Sequence, residues 1–290
     1  MAVDVGSSGG SVRGVLDALA APASVRVAPG DPPRLARRPT DGGVGVETHK
    51  SEANDSLLPA LRDEIVRLQQ RLYAEDARSV LLVLQGTDTS GKDGTIRTVL
   101  GGVTPSGTKV AAFKAPSSSE LAHDPLWRVH AECPERGKIG VFNRSHYEDV
   151  MAARVRGLVD EATVRRRFRH INEFERMLVE EGTTVVKCFL HLSRDEQRER
   201  LQARLDDPEK RWKFRLGDLE DRERWDDFQL AYEEAIRETS TGWAPWHVVP
   251  ADRKWQRNLV VAQLLRAALQ AIDPQVPVAA EETEGVVIPQ

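Results

Sequence analysis

Apolar residues along this chain follow two alternating patterns. One is the short uninterrupted run, first at Ser79-Val-Leu-Leu-Val-Leu-Gln85 and again over 109–113, 139–142, 183–190 and 247–249. A run without polar alternation suits a strand buried on both faces of a parallel sheet. The other pattern has helical spacing. Leu57, Leu58, Leu61, Ile65, Leu68 and Leu72 recur this way behind Asp55, a residue placed to cap a helix of about 20 residues ending near Ala77. Amphipathic stretches near 94–100, 119–132, 145–156, 161–181, 194–205, 218–239 and 254–271 separate the strand-like runs. Strands and helices in alternation predict an α/β fold, a three-layer sandwich around a mostly parallel central sheet.

The pattern stops at both ends. Residues 1–45 are rich in Gly, Ser, Pro and Ala, and residues 274–290 carry Pro274, Pro277 and three glutamates. Such segments bury too little apolar surface to offset chain entropy, so both are expected as flexible tails around a folded unit spanning 50–272.

Composition narrows the class. The 290 residues are 40% hydrophobic and 30% charged, which suits one soluble unit with tails. With 41 basic against 45 acidic residues the formal net charge is −4, too balanced to coat nucleic acid or an anionic membrane by bulk charge. Any polyanion must therefore be met locally. No apolar run approaches the length needed to cross a bilayer and the N-terminus lacks a secretory layout, so a cytoplasmic protein is expected. Cys133 and Cys188 form no Cys-x-x-Cys pair and are expected as two reduced thiols rather than a zinc site or redox couple.

The candidate chemistry begins where the run 79–85 meets Gly86-Thr-Asp-Thr-Ser-Gly-Lys-Asp-Gly94, which satisfies G-x-x-x-x-G-K at Gly86, Gly91 and Lys92. Strand, loop and helix are the context that gives this motif meaning; the alternative is a Gly-rich turn with a solvated lysine. Glycines let the backbone curl so that successive N–H groups and the helix N-terminus face a phosphate, while Lys92 adds a point charge. Asp93 follows Lys92 where such loops normally carry a metal-binding Ser or Thr, and Gly94 comes next. Metal ligation must then be arranged differently, with Asp88 the nearest carboxylate.

The run 139–142 empties into Asn143-Arg-Ser-His-Tyr-Glu-Asp149, at a strand end where open α/β sheets bind ligands. Arg144 is a candidate phosphate clamp, and Glu148 or Asp149 a contact to metal or acceptor. Asn143 stands where an acidic metal ligand would be expected and offers only a neutral amide. The same residues also suit an ordinary helix start capped by Ser145. Lys114, just past the second strand, can face the same crevice or simply be solvated. Arg128 can meet an anion or pair with an acid, while His123 reads as a local hydrogen-bonding residue. Residues 206–217 carry Lys210, Arg211, Lys213 and Arg215 around Pro208. They suit either solvated helices or a mobile lid that closes over a phosphate chain.

Taken together, Gly-Thr-Asp-Thr-Ser-Gly-Lys-Asp-Gly (86–94), Phe-Lys-Ala-Pro (113–116), His-Asp-Pro-Leu-Trp-Arg (123–128), Phe-Asn-Arg-Ser-His-Tyr-Glu-Asp-Val (142–150), Asp-Asp-Pro-Glu-Lys-Arg-Trp-Lys-Phe (206–214) and Trp-Ala-Pro-Trp (243–246) resemble the polyphosphate kinase 2 family in order and spacing. The resemblance runs from about residue 50 to 272. It implies a thymidylate-kinase-like P-loop fold with a helical lid, Mg²⁺, and reversible phosphoryl transfer between inorganic polyphosphate and nucleotides. Asn143 to Glu148 look like the subgroup that accepts both nucleoside mono- and diphosphates.

By that matching Asp88 and Lys92 belong to the first motif, Asn143, Arg144 and Glu148 to the second, and the bases near 210–215 to the lid. The expected catalytic residues are Asp88, Lys92, Arg144 and Glu148. The expected phosphate contacts are Gly86, Gly91, Lys92, Asp93, Gly94, Lys114, Arg128, Arg144, Lys210, Arg211 and Lys213; the metal contacts are Asp88, Asn143 and Glu148. The expected partners are polyphosphate and adenine or guanine nucleotides, without nucleic acid or membrane, in a homo-oligomer. Two other readings stay open: an ATP-dependent nucleoside monophosphate or small-molecule kinase, and a non-catalytic nucleotide or polyphosphate sensor.

Overall fold

The computed structural model describes residues 3–4, 22–43, 46–278, 286 and 288. Its centre is a sheet of five strands: β1 (Ser79–Gln85), β2 (Thr108–Ala112), β3 (Ile139–Asn143), β4 (Thr183–His191) and β5 (Trp246–Pro250). All neighbours are parallel, in the order β2-β3-β1-β4-β5. The chain leaves β1 toward the β2 edge, returns to place β3 between them, and then crosses to the other side for β4 and β5. Connections that depart in opposite directions open a crevice at the carboxyl ends of β1 and β3.

Every residue of β1 is buried, as the unbroken apolar run requires. Val80, Leu82 and Leu84 face α1 (Leu58–Glu75) and the C-terminal helix Lys254–Ile272. Leu81 and Val83 face the opposite layer, which holds the helices Glu161–Glu180 and Trp225–Thr239. The remaining helices in chain order are α2 (Lys92–Val99), α3 (Glu161–Glu180), α4 (Arg194–Asp206), α5 (Gly217–Glu223), α6 (Trp225–Thr239) and α7 (Lys254–Ile272). The three layers expected from the alternation are all present. Among the described residues no helix is long and apolar enough to cross a membrane.

Several local expectations change. Asp55 caps nothing, because helical backbone begins at Lys50 and passes through a widened turn at Ala53–Leu57 before α1. Burial of Ala53 and Leu57 against the core carries the helix past the local signal. The stretch 119–132 resolves into two single turns, Ser118–Leu121 and Trp127–His130. Pro125 lies between them and supplies no N–H to a continuous helix. In 145–156, a 3₁₀ turn at His146–Asp149 precedes a helical turn at Ala152–Val155.

The N-terminal tail reading is corrected for residues 22–43; the rest of it, and most of 274–290, lies outside the described residues. Val25, Val27 and Leu35 are buried, and the segment runs beside β5. Val27 N–H donates to the Trp246 carbonyl at 2.9 Å, Asp252 N–H to Thr40 O at 3.0 Å, and His191 Nε2 lies 3.0 Å from Leu35 O. A few apolar side chains at the right positions outweigh a composition that reads as unstructured when averaged. The cysteines fit their expectation: both thiols are free, with burial pushing Cys133 up to about 11 and Cys188 higher still.

Candidate active site

The loop between β1 and α2 turns through left-handed backbone, without strain at two glycines and at a cost at the β-branched Thr89. Gly86 has φ 148°, Gly91 φ 98° and Thr89 φ 64°. At Gly91 the left-handed backbone already favours glycine, and a Cβ there would stand 2.0 Å from Arg257 Nη1 unless the guanidinium were displaced. Lys92, the first residue of α2, folds back over the loop: Nζ donates to Gly86 O at 2.8 Å and Thr87 O at 3.2 Å. Burial of its ammonium and the neighbouring Arg144 together lower its pKa to about 8, against the pull of Asp88, Glu148 and Asp93. A phosphate placed there would restore the favourable partner that burial removes.

The second motif leaves β3 through a strained residue. Arg144 has φ 62°, a conformation costly for a side chain with a Cβ and common where function requires it. The kink aims the guanidinium across the crevice: Nη2 donates to Asp88 Oδ1 at 2.5 Å and Nη1 lies 3.5 Å from Glu148 Oε2. Arg144 therefore ties the first motif to the second. Ser145 caps the following turn by accepting from Tyr147 N–H at 3.2 Å, so the ordinary helix-start reading and the site reading are both satisfied here. Burial raises the Glu148 carboxyl above its usual range, opposed by Arg144 and Lys92. With its amide nitrogen facing Glu148 Oε1 at 3.0 Å, Gln85 at the end of β1 accepts from Ser145 Oγ and N, fixing the turn.

Beneath this turn lies a polar cluster in the core. Tyr147 Oη donates to Glu175 Oε1 at 2.8 Å, and Lys187 Nζ donates to Glu175 Oε2 at 2.5 Å, to Tyr147 Oη at 2.9 Å and to Thr239 O at 2.7 Å. Lys187 and Glu175 are fully buried. Satisfied on all sides, such a cluster holds one arrangement of the elements it joins.

In front of Asp88, Arg144 and Glu148 opens a cleft of about 300 Å³, walled on the far side by Arg156, Asp221, Phe228 and Tyr232. Arg156 Nη2 meets both carboxylate oxygens of Asp221 at 2.7 and 3.0 Å, joining the turn after the second motif to α5. The cleft sets Arg144 between two carboxylates on one side and faces it with the Arg156–Asp221 pair and two aromatic rings on the other.

Not every expected residue reaches this place. Arg128 is corrected: its guanidinium is buried, donates to Lys114 O at 2.9 Å and pairs with Asp149 at 3.5 Å. It holds the β2 loop against the second motif. The Lys114 side chain is exposed. Lys210, Arg211 and Lys213 sit on the exposed segment between α4 and α5, where Lys210 pairs with Asp207 and Lys213 lies 5.2 Å from the Trp212 ring. Only the single 3₁₀ turn Arg211–Lys213 breaks that segment. His123 is local as expected, 2.8 Å from Ser119 O and stacked on Trp127.

The Asn143 amide nitrogen donates to Asp93 Oδ1 at 2.6 Å and so positions that carboxylate, through a bond that does not involve the Asn143 oxygen. Among the described residues no three His, Cys, Asp or Glu side chains converge as a ready metal cage. That donor set fits a hard cation held by one or two carboxylates together with substrate phosphates and water. Asp88 and Asp93 are the carboxylates at the loop.

Arg200, Arg257 and Gln85 were missed by motif reading. Glu175 and Lys187 had a signal: each is a charge set into an otherwise apolar face, on α3 and β4 respectively.

Comparison with known proteins agrees with this geometry. The family model described as Polyphosphate kinase 2 (PPK2) matches residues 48–277. The chain is 52% identical to an AMP/ADP-polyphosphate phosphotransferase of Meiothermus ruber over 91% of this chain and 98% of that one. It is 44% identical to an ADP-polyphosphate phosphotransferase of Rhodopseudomonas palustris, over 87% and 91% of the two chains. The crystal structure of polyphosphate kinase 2 from Arthrobacter aurescens superposes with a TM-score of 0.87 at 44% identity, covering 90% of this chain and 93% of that one.

Proposed function

The chain belongs to the polyphosphate kinase 2 family, and on that footing we propose that it transfers a terminal phosphoryl group reversibly between inorganic polyphosphate and nucleoside mono- or diphosphates. The observation that carries this reading is the Asp88–Arg144–Glu148 bridge beside Lys92, which brings a phosphate-binding loop and a second charged motif to one cleft.

Transfer toward the nucleotide forms a bond between an acceptor phosphate oxygen and the terminal phosphorus of the chain. The bridging P–O bond breaks, and a polyphosphate one unit shorter leaves with that bond's electron pair. The attacking oxygen is already anionic, so no strong base is needed; positioning and charge neutralisation supply most of the catalysis. Lys92 and the N–H groups of the 86–94 loop hold the transferring group. Arg144 neutralises charge between donor and acceptor. Glu148, with its raised pKa, can share a proton with an acceptor phosphate or orient it. A divalent cation, for which Mg²⁺ is the natural choice, fits beside Asp88 and Asp93 and would withdraw charge from the phosphates. The exposed bases at 210–213 are suited to receive the trailing polyphosphate chain, and adenine or guanine nucleotides are the acceptors proposed.

The test is direct: purified protein with Mg²⁺, AMP or ADP, and long-chain polyphosphate, followed by measurement of ATP. ATP formation that stops when polyphosphate is omitted supports the proposal. Turnover only with ATP as donor would make this a nucleotide-dependent kinase, and tight binding without turnover would make it a sensor.

A further inference from the structure

Buried cations in this fold are paired with carboxylates, except on either side of one loop. Arg128 pairs with Asp149, Lys187 with Glu175 and Arg266 with Glu64. Lys92 and Arg257 are also buried, and among the described residues neither has a carboxylate within ion-pair distance. Lys92 covers the inside of the 86–94 loop. Arg257, from α7, supports its outside.

Arg257 is only 2% exposed. Nη1 donates to Ser90 O at 3.0 Å, while Nε and Nη2 donate to Asn258 Oδ1 at 3.2 and 3.0 Å. The guanidinium packs against the α-carbon face of Gly91 so closely that a Cβ there would displace it, and it lies beside Gly94. Arg200 of α4 joins it from the neighbouring side, donating to Thr89 O at 3.1 Å. Between them the two arginines tie down the Thr89 and Ser90 carbonyls of the loop. A buried charge without a counter-ion is costly unless a ligand supplies one.

We infer that Arg257 is a positioning residue for phosphate binding, a positive charge lodged behind the loop whose missing counter-ion is the polyanion bound in front of it. The inference rests on the proposed reading of the cleft as a polyphosphate site. It separates the two jobs that a loop-supporting residue can have. Both acceptors of Arg257 have a second donor, Arg200 Nη1 at 3.5 Å for Ser90 O and Thr95 Oγ1 at 3.2 Å for Asn258 Oδ1. Removing the charge should therefore cost the ligand-free protein little and the loaded protein much.

The experiment compares the full chain with Arg257→Gln, which keeps a hydrogen-bond donor without the charge, and Arg257→Lys, which keeps the charge without the fork. Tripolyphosphate binding is measured by calorimetry at two salt concentrations, alongside melting of the ligand-free proteins. Arg257→Gln should weaken tripolyphosphate binding about tenfold or more, with a shallower salt dependence and a melting temperature equal to or above wild type. Arg257→Lys should stay within about threefold of wild type. Wild-type affinity in Arg257→Gln would overturn the inference. Equal weakening in both variants with lowered melting temperatures would also overturn it, showing support by shape instead of charge. Failure of the wild-type chain to bind tripolyphosphate would instead count against the cleft assignment itself.

Discussion

Asn143 donates its side-chain N–H to Asp93 Oδ1 at 2.6 Å, joining the end of β3 to the first turn of α2. The two residues occupy the places where the sequence departs from an ordinary phosphate loop and its acidic partner strand, and they depart together. A carboxylate at 93 needs a donor opposite it, which an aspartate at 143 would not supply. Asn143→Asp should therefore destabilise the ligand-free protein by only about 1 kcal/mol, seen as a lower melting temperature, because Asp93 is exposed and water screens the repulsion. Added Mg²⁺ should recover the loss, since a cation between two carboxylates replaces the missing hydrogen. Melting curves across a Mg²⁺ titration check this; unchanged melting without Mg²⁺ would show the contact is not a working pair.

Lys92→Met tests the loop. The ammonium is buried against backbone carbonyls and has no ion pair among the described residues, and burial lowers its pKa to about 8, so its charge is less favoured in the ligand-free fold than in water. Turnover should fall roughly 10²–10⁴-fold, the loss expected when a transition-state charge clamp worth about 3–5 kcal/mol is removed. Thermal stability of the ligand-free protein should not fall, because the apolar side chain fills the same space without the desolvated charge. ATP formation and melting are measured on the same preparation, and near-normal turnover would remove Lys92 from the mechanism.

The docked N-terminal segment has its own test at Leu35, which is 1% exposed in the layer that also holds Phe189 and Trp246. Leu35→Ala should destabilise the protein by about 2–4 kcal/mol in urea unfolding, as expected for truncating a core leucine. A freely moving segment would show no change. Activity at low temperature should persist, since Leu35 is not among the residues walling the cleft.

His247 predicts the acid limb of stability. It lies in β5 with Nδ1 3.1 Å from Lys187 O, and burial lowers its pKa to about 4. A depressed histidine pKa means that the unfolded chain takes up the proton first, near pH 6.5, while the fold excludes it. The contribution is thus fully present above pH 6.5 and is lost as the pH falls toward 4. At pH 5 it amounts to roughly 2 kcal/mol. Urea unfolding at pH 7 and pH 5 should show a smaller loss for His247→Gln than for wild type, and identical losses would assign the acid sensitivity elsewhere.

Periodicity along the chain determined the layers. All five strand-like runs match the sheet to within one residue at each end; for four of them the reason is that a strand buried on both faces must be apolar along its length, whereas β2, at the sheet edge, buries only Ala111. The phosphate loop was equally legible, since its requirements for glycine, lysine and a following helix are local in sequence. Tertiary structure decided what depends on distant partners. Asp55 lost its capping role to core contacts that carry the helix through it, and residues 22–43 were ordered by a few apolar side chains that average composition conceals. Arg128, a candidate phosphate contact on its own, proved to be held by Asp149 and a backbone carbonyl. Arg257 lies on α7, far along the chain from the loop it supports. An arginine's place in sequence carries no information about which carbonyl it will reach; only the packing of α7 against α2 and β1 brings that charge behind the loop, where desolvation gives it its effect.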